Sequence, residues 1–89
     1  MNLSELKAGD IVETNGYGKA LVLSAENKIH EDFYFLLYIK RFCELRRLSV
    51  DKKGSDRGYR DEIVKRNGGL RITGIIKTEI DLTGLINGL

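Results

Sequence analysis

Short apolar runs separated by glycine and polar turns constrain this chain most. Ile11 to Thr14, Lys19 to Ser24, Phe33 to Ile39 and Leu70 to Thr78 all have strand length and strand composition. Asn15-Gly16-Tyr17-Gly18 joins the first two through a turn with two glycines, the signature of a hairpin. Phe33 to Ile39 is the most apolar run and predicts a central strand covered on both faces. Tyr59 to Arg66 reads as a further strand, with Asn67-Gly68-Gly69 as the tight turn into its partner, Leu70 to Thr78. Glu44 to Val50 fits either a strand or a helical turn, because Leu45 and Leu48 suit both spacings.

The remaining stretches are punctuation. Leu3 to Lys7 predicts one helical turn capped by Ser4 and broken at Gly9-Asp10. Ala25 to Asp32 and Asp51 to Gly58 read as polar loops. Ile80, Leu82, Leu85 and Ile86 suggest a short terminal helix that seals one end. Five or six short strands with glycine turns fit a small, strongly bent barrel, which also removes exposed sheet edges. Gly74, inside an apolar strand, marks the place where a bulge or a close backbone contact would bend the sheet. The expected fold is mainly β, a small SH3-like barrel with a short terminal helix, in a single domain over residues 1–89.

Composition narrows the setting. No apolar run approaches the roughly 18–20 residues that cross a bilayer, and the first residues lack the pattern of a secretory leader. The chain therefore reads as cytoplasmic, with no membrane partner. One cysteine, Cys43, makes neither an internal disulfide nor a zinc site and reads as a small buried apolar residue. His30 reads as a solvent-exposed loop histidine rather than a base. Ser24 and Ser49 have no visible base, so a hydrolytic triad is unsupported. No metal or cofactor is expected.

Charge is unevenly distributed. Residues 40–66 carry ten cations, including Lys40 and Arg41, against five acids, whereas the rest of the chain is net negative. Such segregation suits either a polyanion-binding surface or a solvated rim around a hairpin. Lys77 and Glu79 stand two residues apart, so in an extended strand they share a face about 7 Å apart. That spacing lets a cation and a carboxylate flank one phosphodiester.

Three pieces resemble the PemK/MazF family of type II toxin ribonucleases: Gly9-Asp10-Ile11-Val12, Gly18-Lys19-Ala20-Leu21-Val22-Leu23-Ser24, and Gly69 to Glu79. The resemblance implies an SH3-like barrel, a homodimer, and metal-independent endoribonuclease action on single-stranded RNA, held in check by an antitoxin partner. It also implies a catalytic pair at Lys77 and Glu79, where the family has arginine and aspartate, with Lys19 as a further basic residue and Arg71 in support. Glu79 would act as the base at the 2′-hydroxyl, and Lys77 would stabilise the phosphorane or donate a proton. Lys40 and Arg41, within the basic segment, would track the phosphate backbone, and Tyr17 and Tyr59 would stack bases. Three departures surround this site: both catalytic positions are replaced, the loop before the second strand is short, and Tyr38-Ile39-Lys40-Arg41 lacks the family's hydroxyl. Two readings follow. One is a toxin-like ribonuclease; the other is a non-catalytic barrel that binds nucleic acid or a protein partner through the 40–66 segment.

Overall fold

The computed structural model describes residues 3–28, 32–51 and 59–76. Five antiparallel strands form one sheet: β1 (Ile11–Thr14), β2 (Lys19–Lys28), β3 (Asp32–Ile39), β4 (Glu44–Val50) and β5 (Ile72–Ile76). Their spatial order is β4-β3-β2-β1-β5, so the last strand pairs with the first. One short helix, α1 (Asp61–Arg66), lies between β4 and β5 in the chain. The protein is mainly β, as expected. The expected terminal helix around residues 80–86 lies outside the described residues.

Alternation explains which face is buried. Along β3, Phe35, Leu37 and Ile39 are buried, while Tyr34, Leu36 and Tyr38 between them are half-buried. Val12 of β1, Ala20 and Val22 of β2, Leu48 and Val50 of β4 and Ile72 of β5 join the same core, capped by Leu3, Leu6 and Leu70. A period of two allows one face of each strand to be filled this way. The strand expected to be central and covered on both faces is thus an interior strand, next to the edge strand β4, buried on one face and half-buried on the other.

Two irregularities bend the sheet. The β2–β3 register slips between Val22 and Ser24, and the β1–β5 register slips between Glu13 and Thr14, beside Gly74. Of the two expectations at Gly74, the first fits: the unpaired residue is Thr73, next to it. An extra residue on one strand increases the local twist.

The stretch 59–66 departs from expectation. It is not a strand of a late hairpin; Asp61–Arg66 is helical, and β5 pairs with β1. Asp61 and Glu62 occupy the first turn and Lys65 and Arg66 the last, which suits the helix dipole. Asn67-Gly68-Gly69 then ends the helix: the Gly68 N–H donates to Lys65 O and the Gly69 N–H to Val64 O, with Gly68 at φ +67. This is the Schellman arrangement, for which glycine is suited because it has no Cβ. Asn-Gly-Gly serves a hairpin turn and a helix C-terminus equally well, and that ambiguity produced the wrong expectation.

Smaller corrections have similar local causes. The first helical turn is a 3-10 turn of Leu3–Glu5 with Ser4 inside it rather than capping it. Most of the expected loop 25–32 is strand, because β2 continues to Lys28 and β3 begins opposite it at Asp32. Glu44 to Val50 resolves as strand β4. Cys43 is exposed rather than buried, because it takes the left-handed position (φ 49°, ψ 44°) that closes a 3-10 turn at Lys40–Phe42.

Candidate nucleic-acid interface

Three turns meet at one end of the sheet: β1–β2 (15–18), β3–β4 (40–43) and α1–β5 (67–69). The first is held to the third by Asn15, whose Nδ2 donates to Gly69 O at 2.7 Å while its Oδ1 accepts from the Arg71 N–H at 2.7 Å. The Tyr17 hydroxyl adds a donation to Gly68 O at 3.0 Å. The second turn reaches the first through Arg41, which donates from Nη1 to Gly16 O at 3.4 Å. Gly18, at φ +81, leaves room there: a Cβ on it would stand 3.7 Å from the Arg41 side chain.

Asn67 ties this assembly to the far edge of the sheet. It is buried, accepts from the Ser49 N–H at 3.1 Å and donates to Ser49 O at 2.9 Å, so its amide takes the place of a neighbouring strand beside β4. Arg46 donates from Nη2 to Asn67 O at 2.8 Å. The two edges of the sheet, β4 and β5, are thereby linked through the 67–71 segment; among the described residues no strand pairing joins them.

A group of rings and cations sits on this framework. The Tyr17 and Phe42 rings meet edge to face at 6.2 Å. The Arg41 guanidinium lies over Phe42 at 5.4 Å, and that of Arg46 over Tyr17 at 5.7 Å. Glu44 approaches Arg46 at 3.8 Å, an exposed pair of small energetic weight. Phe42 is 50% exposed, whereas Tyr17 is half-buried against the core. Phe42 is therefore the ring that offers a face to solvent, with Tyr17 as its support. Such a face can stack a base, and guanidinium groups beside it can hold phosphate.

The five sequence-derived binding residues among the described ones gather around these turns. Tyr17 and Arg41 belong to the cluster itself, and Lys40 opens the same turn as Phe42. Lys19 follows Gly18, stands exposed and pairs in register with Glu13; Arg71 is exposed with its backbone bonded to Asn15. Tyr59 does not belong here. It packs against the core and its hydroxyl accepts from the Ile72 N–H at 3.2 Å, which occupies it structurally. Lys77 and Glu79, the catalytic pair that the resemblance implies, lie outside the described residues, as does His30. Ile76, the last described residue of β5, pairs with Ile11, at the end of β1 away from the three turns.

Sequence reasoning missed Phe42 and Asn67. An aromatic inside Lys-Arg-Phe-Cys-Glu, between two strands, has no sheet face to fill, and that was the available signal. Asn67 gave none, since its role depends on a strand eighteen residues earlier. Next to the cluster, Cys43 holds the Tyr38 phenol above its ordinary range, through hydrogen bonding first and charge second. Among the described residues no group of three or more His, Cys, Asp or Glu is placed to hold a metal, and no helix is long and apolar enough to cross a membrane.

The chain matches no family model, no curated protein and no solved structure.

Proposed function

We propose that this protein binds single-stranded RNA across the face made by its three turns, within an SH3-like barrel, with Phe42 stacking a base and Arg41, Lys40 and Arg46 meeting phosphates. The observation that carries this reading is the half-exposed Phe42 ring, braced by Tyr17 and overlaid by Arg41. A ring held at a turn beside guanidinium groups suits sequence-tolerant binding of unpaired bases. The concentration of cations in residues 40–66 supports it further.

The test is fluorescence anisotropy with a short labelled single-stranded RNA, titrated at several salt concentrations, with its DNA counterpart alongside. Affinity should fall steeply with salt. Phe42→Ala should cost about 1–3 kcal/mol, or roughly 5- to 150-fold in Kd. No affinity at low salt would overturn the reading and leave a protein partner as the occupant of this face.

Metal-independent cleavage at Lys77 and Glu79 is a separate proposal, supported by the PemK/MazF resemblance. With a long RNA and no added metal, Glu79→Ala should abolish cleavage while leaving binding in place. Intact RNA under binding conditions would remove the ribonuclease reading and keep the binding one.

A further inference from the structure

The two asparagines that fasten the turns and the β4 edge, Asn15 and Asn67, are each followed directly by glycine. That step favours deamidation, because a glycine has no Cβ to hinder its nitrogen from reaching the asparagine Cγ. A third such step, Asn87-Gly88, lies outside the described residues. The fold treats the first two differently. Asn67 is buried, both its amide atoms are bound to the Ser49 backbone, and the Gly68 N–H is tied to Lys65 O at the helix end. Freeing its side chain leaves buried groups of β4 unpaired. Asn15 is exposed, and so are its bonds to Gly69 O and to the Arg71 N–H. When these open, water satisfies the partners, so the opening costs little. Gly16 is exposed as well, and a Cβ built on it would meet nothing within 4 Å. Its N–H donates only to Thr14 O, two residues back, at 3.1 Å. At residue 15, therefore, solvent reaches the attacking nitrogen and the amide under attack is easily released.

We propose that Asn15 is a site of spontaneous modification, and that its conversion to aspartate and isoaspartate unfastens residues 69–71 from the β1–β2 turn. The Gly16 nitrogen gives its proton to hydroxide and bonds to Asn15 Cγ. The Cγ–Nδ2 bond breaks, and Nδ2 leaves as ammonia. Water then opens the resulting five-membered imide. Cleavage between the Gly16 nitrogen and Cγ gives aspartate. Cleavage between that nitrogen and the main-chain carbonyl carbon gives isoaspartate, with the backbone routed through Cγ. Water is consumed and ammonia is released; nothing is oxidised or reduced. In the aspartate product a carboxylate oxygen faces Gly69 O where an N–H donated before. In isoaspartate the extra backbone methylene sits in the hairpin turn, between the strands that the turn joins, and shifts the Asn15 N–H that donates to Arg71 O. Both products add a negative charge to the face that carries Arg41 and Arg71.

The test is timed incubation of the full chain in warm, mildly alkaline buffer, followed by peptide mapping with mass spectrometry and enzymatic methyl-labelling of isoaspartate. In the folded chain residue 15 should convert at least about tenfold faster than residue 67. In urea the two should convert at similar rates. Conversion of Asn15 no faster than that of Asn67 in the folded chain would overturn the proposal. Ion exchange then isolates the species that mapping shows converted at residue 15 alone. In it, hydrogen exchange at the amides of residues 15 and 71 should be several-fold faster than in fresh protein, while the amides of β3 keep their protection. Unchanged exchange at those two amides would also overturn the proposal, since the segment would then stay fastened. Both readouts are independent of RNA: fresh protein that binds none would remove the RNA reading and leave this one standing.

Discussion

Asn67→Ala probes the device that joins the two edges of the sheet. Asn67 is 4% exposed, and its amide satisfies both backbone groups of Ser49, which is equally buried. Alanine removes both bonds and strands a buried N–H and a buried C=O on β4. Each such group costs about 1–3 kcal/mol when left unpaired. Relief of side-chain ordering returns about 1 kcal/mol, so the net loss should be about 1–5 kcal/mol. A domain of this size has a total stability near the low end of about 5–15 kcal/mol, so the loss is a large share. With a urea slope of about 1 kcal/mol per molar, the midpoint should fall by roughly 1 M or more. Urea unfolding followed by circular dichroism is the assay. Ser49→Ala is the control, since its hydroxyl makes only a 3.5 Å contact with Asn67, and it should cost well under 1 kcal/mol. Asn67→Asp should behave like the alanine variant, because a carboxylate oxygen would then face Ser49 O. A loss below about 1 kcal/mol in Asn67→Ala would refute the reasoning: it would mean that Ser49 finds other partners and that the edge is not held by this amide.

Two glycines should respond differently to alanine. Gly68→Ala combines a positive φ with a Cβ 2.8 Å from Arg46 Nη2, so it should cost about 1–2 kcal/mol and loosen Arg46 from Asn67 O. Gly74→Ala meets the movable carboxylate of Glu13 at 3.0 Å with no positive φ, and urea midpoints should place its cost below that of Gly68→Ala. Cys43→Ala should lower the Tyr38 pKa toward the usual tyrosine range, seen by ultraviolet difference titration at alkaline pH. The raised phenol means that the folded chain holds this proton more tightly than the unfolded one. Its contribution to stability is therefore full below the unfolded tyrosine pKa and is lost as pH rises through the folded one. An unchanged Tyr38 titration in Cys43→Ala would show that the thiol is not the cause.

Strand identity was legible wherever local chemistry was unambiguous. The glycine turn at 15–18 specifies a hairpin because only a few turn types suit strand twist, and the unbroken apolar run Phe33 to Ile39 has strand length and composition, although which of its faces is the better buried was not visible in it. The charge segregation and the positions of Tyr17, Lys19, Lys40, Arg41 and Arg71 were also available from sequence. What the sequence left open was partnership. Asn-Gly-Gly at 67–69 is locally compatible with a hairpin or a helix end, and only the pairing of Ile72–Ile76 with β1 selects the helix end. The ring cluster depends on turns from residues 15–18, 40–43 and 67–69 arriving at one place. Cys43 is exposed, though its type is usually buried, because the turn geometry around it decides. Local propensity acts over a few residues, so the sequence by itself determined the strands, their turns and the distribution of charge. Which strands became neighbours, and which side chains met, was decided by burial and hydrogen bonding between segments tens of residues apart, and these exist only once the sheet has formed and Asn67 is seated beside β4.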